Sequence, residues 1–99
     1  MKLVLAGFDW DEGNRGKCQK HGVSLDEIED LFLGEPGVAP DLKHSAQETR
    51  FIAAGRTTEG RGIFVAFAIR TIAGRTFIRP ISARYMHRKE VEAYEKKSS

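Results

Sequence analysis

Two long apolar runs dominate the second half of the chain. Gly62–Arg70 reads GIFVAFAIR and Phe77–Arg84 reads FIRPISAR, with TIAGRT between them. Runs of this length, rich in Ile, Val and Phe and bounded by glycine, predict two strands paired around a turn. Thr49–Arg56 (TRFIAAGR) predicts a third strand, and Thr57–Gly60 a hairpin turn leading into the first pair. A short apolar run, Leu3–Phe8, predicts a strand near the start.

The polar stretches between these runs carry helix signals. Asp11 suits a helix N-cap, because its carboxylate can accept from backbone N–H groups one turn on. The helix it opens, through EGNRGKCQKH, is weakened by Gly13 and Gly16, each costing about 1 kcal/mol relative to alanine. Ser24 with Glu27 forms a capping box, and Val23 with Ile28 a hydrophobic staple. Leu25, Ile28, Leu31 and Phe32 then recur at helical spacing. Gly34, Pro36, Gly37 and Pro40 end that helix, with an optional extended segment near Val38–Leu42. Asp41–Glu48 reads as a polar loop, and Met86–Lys97 as a terminal helix with Met86, Val91 and Tyr94 inward.

The resulting order, β-α-α-β-β-β-α, is an α+β fold. It predicts an antiparallel sheet, two N-terminal helices and one C-terminal helix, with the helices packed to one side. Residues 1–99 are read as one domain, long enough to bury a single core. Pro80 lacks the N–H a ladder needs, so its strand is an edge or is bulged there. A bulge re-aims Arg79 or Arg84 relative to simple alternation.

Composition narrows the classes of function. No apolar run approaches the roughly 20 residues that cross a bilayer, and the start is too short for a secretory signal core. Cys18 is the sole cysteine, which excludes an internal disulfide and a Cys-rich zinc site. The reading is a protein of the reducing cytoplasm. Net charge is +2, but residues 1–49 hold 5 basic and 10 acidic side chains, whereas residues 50–99 hold 11 and 4. An acidic half followed by a basic half suggests a partner that reads charge, nucleic acid first among them, or else a mixed solvated surface.

The candidate chemistry lies in the basic half. No phosphate-binding glycine loop is present, and His21, His44 and His87 lack the spacing of a helical metal motif, so no metal or cofactor is expected. Cys18 reads as a small core or surface residue rather than a nucleophile. Arg50, Arg56, Arg70, Arg79 and Arg84 all fall in or beside predicted strands, and Arg50 and Arg56 share strand parity. Arginine grips phosphate with a planar fork and stays charged at physiological pH. The competing reading pairs these arginines with acidic partners such as Glu27, Asp41 or Glu48. Lys20 and His21 either contact a phosphate or base from a helix end, or satisfy that helix's last carbonyls. Trp10 either stacks on a base or anchors the core.

Taken in order, Phe8–Asp9–Trp10–Asp11, Lys20–His21–Gly22–Val23–Ser24, His44–Ser45–Ala46–Gln47–Glu48–Thr49–Arg50, Gly55–Arg56, Ile81–Ser82–Ala83–Arg84 and Tyr94–Glu95 resemble the BrnT toxin family. The resemblance runs from about residue 7 to residue 95. It implies a small bacterial ribonuclease, the toxin of a type II toxin–antitoxin pair, with a RelE-like fold and no metal requirement. It also implies a BrnA-like ribbon-helix-helix antitoxin as partner, with operator DNA reached only through that antitoxin. Joined to the residue reading, it nominates Lys20, His21, Arg70 and Arg84 as catalytic, and Arg50, Arg56 and Arg79 as RNA-binding. The alternative is a non-catalytic module serving as the antitoxin's partner in autoregulation.

Overall fold

The computed structural model describes residues 5–44 and 48–98. Its elements are β1 (Gly7–Phe8), α1 (Glu12–Gln19), α2 (Leu25–Leu33), β2 (Gly37–Pro40), β3 (Arg50–Arg56), β4 (Gly62–Ile72), β5 (Arg75–Tyr85) and α3 (Arg88–Ser98). They form the predicted α+β fold around one sheet of order β1-β5-β4-β3-β2. The run from β2 to β5 is antiparallel. The two residues of β1 add a parallel edge, Gly7 opposite Phe77 and Phe8 opposite Ile78. Leu3 and Val4 of the predicted first strand lie outside the described residues.

Two stretches are more regular than their pattern suggests. The optional extended segment is a full partner of β3, with Val38 opposite Ala53 and Pro40 opposite Phe51. The central turn shrinks from six residues to Ala73 and Gly74, both with positive φ (51° and 76°). Such a turn matches the right-handed twist of the flanking strands, so Thr71–Ile72 and Arg75–Thr76 continue the ladder.

The core lies on one face of the sheet. Ala53, Ile63, Val65, Phe67, Ile78 and Ala83 meet Cys18 of α1 and Ile28 and Leu31 of α2 there. Both predicted N-terminal caps form. Asp11 and Asn14 exchange reciprocal bonds at α1, and Ser24 and Glu27 do so at α2. Trp10 is a core anchor, half-buried against this cluster, with its indole N–H donating to Glu29 Oε2 at 2.8 Å.

The expectation of helices on one side holds for α1 and α2 but not for α3. β5 ends beside Gly62, where the Met86 N–H donates to the Gly62 carbonyl at 2.8 Å. Gly62 shares parity with Phe64 and Ala66 and so faces away from the core. A Cβ there would stand 2.7 Å from Met86 Sδ and 3.1 Å from Val91 Cγ2. The missing side chain lets α3 settle over one end of the outer face, and among the described residues no helix covers the rest of it. Among the described residues no helix is long and apolar enough to cross a membrane.

Candidate active site

A bulge in β5 decides what the outer face carries. Arg79 and Arg84 are five residues apart, so in a regular strand they would point to opposite sides. Ser82 pairs with Ala66 and Pro80 with Phe67, leaving Ile81 as the extra residue. Arg79 therefore sits opposite Ala68 and Arg84 opposite Phe64, two residues of the same parity. Both arginines reach the outer face. The bulge is clamped from α1, where the buried Asn14 amide donates to the Pro80 carbonyl at 2.8 Å and the Asp9 carbonyl at 2.9 Å.

The uncovered face holds a cavity of about 520 Å³. Its floor is Arg50 and Ile52 of β3, Phe64 and Ala66 of β4, and Ile81 and Ser82 of β5. His21 enters from the end of α1, Arg84 and Glu90 from the α3 side, and Asp41 and His44 from the 3-10 turn Leu42–His44 and the residue before it. His44 Nδ1 and Asp41 Oδ2 stand 2.9 Å apart. With Nδ1 donating to the carboxylate, Nε2 is the ring nitrogen that points away from Asp41 and can exchange a proton with a ligand. This is the histidine–carboxylate arrangement that orients a proton acceptor.

Arg84 is held on three sides. Its guanidinium donates to Glu90 Oε1 and Oε2 at 2.7 and 2.8 Å and to the Tyr85 carbonyl at 3.3 Å, and lies 5.0 Å from the Phe64 ring centre. The paired carboxylate raises the arginine's pKa further. In return, the arginine and the His87 N–H hold Glu90 down to about 2. A carboxylate gripped in this fork occupies the geometry a phosphate would take.

A second cavity, of about 310 Å³, adjoins the first through Arg50 and Ile81. Lys17, Arg70 and Arg79 line it, with Glu48. Arg79 is fixed by Asp11 at 2.7 Å and Asp9 at 3.3 Å. The Asp11 bond comes first in raising its pKa, and Asp11 in turn is lowered by the Asn14 N–H and by Arg79. Arg70 pairs with Glu48 at 3.2 Å.

The structure thus divides the nominated set. His21, Arg50 and Arg84 share the large cavity, while Arg70 and Arg79 share the adjoining one with Arg50. Lys20 is exposed and lines neither, its backbone N–H capping α1 on the Lys17 carbonyl. Arg56 shares the outer face but lies at its far end, paired with Glu95 of α3 and donating to the Gly60 carbonyl at 2.8 Å. Acidic partners do claim Arg70 and Arg79, as the competing reading held, but those of Arg56 and Arg84 come from α3. His44 and Asp41 were missed as a pair. Their spacing of three residues, one turn of tight helix, is the signal in the sequence. Cys18 is fully buried, and burial pushes its thiol up to about 11, as a packed residue rather than a thiolate nucleophile.

Two imidazoles, two guanidiniums and an adjoining cationic cavity can bind phosphates and move protons. No curated protein matches the chain. Residues 10–90 match the model of a family described as the ribonuclease toxin, BrnT, of type II toxin–antitoxin systems. That span includes all the nominated residues and both cavities' cations, and the chain belongs to this family of ribonuclease toxins.

Proposed function

We propose that this chain is a metal-independent endoribonuclease that cleaves RNA in the large cavity of the outer sheet face and so inhibits translation. The observation carrying the reading is the convergence of His44–Asp41, His21, Arg50 and Arg84 on one uncovered cavity. Asp41 orients His44, whose Nε2 takes the proton of a ribose 2′-OH. The 2′ oxygen attacks the adjacent phosphorus, the bond to the 5′ oxygen breaks, and His21 supplies the proton to that leaving oxygen. The products are a 2′,3′-cyclic phosphate and a free 5′-OH. Arg84 and Arg50 stabilise the charge that builds on the phosphate oxygens. For Arg84 to do so, phosphate must replace the Glu90 carboxylate in its fork.

Family membership implies an antitoxin, and we assign it the ribbon-helix-helix type that carries operator DNA contacts for the pair. A reading frame of that type abutting this gene is the expected neighbour.

The test incubates the purified, antitoxin-free chain with RNA, with and without chelator. Cleavage that survives chelation and leaves 2′,3′-cyclic ends is the expected result. His44→Ala and Arg84→Ala should each lose it while still binding antitoxin. Absence of both cleavage and growth arrest on expression, or cleavage abolished by chelator, overturns the reading.

A further inference from the structure

The smaller cavity has no task in the cleavage step, yet it gathers cations from four elements. Lys17 comes from α1, Arg70 from β4 and Arg79 from β5, and Arg50 is shared with the larger cavity. We propose that this cavity is a second phosphate subsite, which holds a backbone phosphate of the same RNA strand a few nucleotides from the cleaved one. The proposal rests on the outer face being the RNA-binding face.

Register supports it. Arg50 and Arg79 both stand opposite Ala68, one on each neighbouring strand, with Arg70 two residues further along β4. Arg84 stands opposite Phe64, four residues away along β4, or about 13 Å at strand rise. A phosphate held by Arg84 and the shared Arg50 leaves Lys17, Arg70 and Arg79, at the other end of this span, to a second one. A stacked strand advances ~3.4 Å per nucleotide and a splayed one more, so about four nucleotides or fewer cover the distance. Arg50 and Ile81 line both cavities, so the two lie side by side on this face.

The pairing within the cavity separates fixed charge from exchangeable charge. Arg79 is tied to Asp9 and Asp11 at the start of α1 and supplies a stationary field. Lys17 makes no ion pair among the described residues and can turn to a ligand. Arg70 and Glu48 are 44% and 36% exposed, a pair weak enough for a phosphate to displace the carboxylate. Lys17 and Arg70 are therefore the groups that bind, in addition to the shared Arg50.

The experiment measures binding of 2′-O-methyl oligouridylates, which cannot be cleaved by 2′-OH attack. Lengths of two and eight nucleotides are compared over a range of salt, for the wild type, Lys17→Gln, Arg70→Gln and Arg70→Lys. The wild type should bind the longer oligonucleotide far more tightly. Each Gln substitution should weaken the octamer roughly tenfold, the scale of one charge-assisted hydrogen bond. Each should also lower its log–log salt slope by about 0.7. The dimer, with a single phosphate, should respond much less, and Arg70→Lys should keep the slope. Equal weakening of dimer and octamer, or an unchanged slope, overturns the subsite. Length-dependent binding with this mutational pattern supports it even where unmodified RNA is left intact, a result that would sink the cleavage reading alone.

Discussion

Replacing Asn14 with alanine tests how the outer face is assembled. Asn14 is only 5% exposed and makes three bonds that alanine cannot. Its amide serves the Pro80 and Asp9 carbonyls, and its Oδ1 accepts the Asp11 N–H at 2.7 Å. The Pro80 carbonyl sits at the bulge, and leaving such a buried acceptor unpaired costs ~1–3 kcal/mol. Losing half of the capping box adds ~1 kcal/mol. The expected loss is about 2–4 kcal/mol, a large share of the ~5–15 kcal/mol that holds a small domain folded. At roughly 4–8 °C per kcal/mol, the melting midpoint should fall by some 8–32 °C. Urea unfolding measures it directly. Asn14→Asp separates hydrogen bonding from volume. It is isosteric, but an ionised carboxylate would face two carbonyl oxygens, so it should be at least as destabilising as alanine. Should Asn14→Ala stay within about 0.5 kcal/mol of wild type, or Asn14→Asp prove the milder change, the clamp is not what holds the bulge.

Gly55→Ala places a Cβ 2.6 Å from Leu31 Cδ1 and should cost ~1–3 kcal/mol by overpacking, read by urea unfolding. Gly16→Ala meets nothing within 4 Å in the middle of α1 and should add ~0.5–1 kcal/mol in the same assay. Glu90 has a depressed folded pKa, so its contribution is fully present above its ordinary 4.5 and is lost as pH falls towards about 2. Acidification through that window should release α3, seen as loss of the Met86 methyl shift in NMR while the β4–β5 amides persist. Cys18 should resist iodoacetamide at pH 8 in the folded chain and react promptly in urea, because the thiol is buried and held protonated.

What could be read from the sequence follows from how local each signal is. The Asp11 and Ser24 caps are complete within four residues, and both were legible. The long apolar strands were legible because burial on one face imposes a pattern. β2 was only an option because all four of its residues are exposed and no alternation marks it. The two-residue turn was hidden because Thr71, Ile72, Arg75 and Thr76 extend the hairpin past the core, where burial imposes no pattern. The side chosen by α3 turns on Gly62 having no Cβ beneath Met86 and Val91, a fact with meaning only once the strands are paired. In the site, the arginines stood out by type, but their grouping depended on the bulge at Ile81. Pro80 announced an irregularity without giving its direction.

Two demands on the outer face explain why its arginines are already engaged. Guanidiniums clustered on one sheet face repel one another, and unscreened repulsion of this kind weakens the folded state. Carboxylates at the rim offset that repulsion before any ligand arrives. Their exposure then sets which arginines a phosphate can claim. Arg70 with Glu48 is open to water on both sides and exchanges most readily. Arg84 with Glu90 is a bidentate pair, 43% and 31% exposed, and exchanges only if α3 yields at its first turn. Arg79, 21% exposed and shared between two aspartates, is the least free. A strand meeting this face would engage the smaller cavity first and displace Glu90 second. On the proposed reading, that order places the energetic cost of opening the larger cavity on RNAs long enough to reach both.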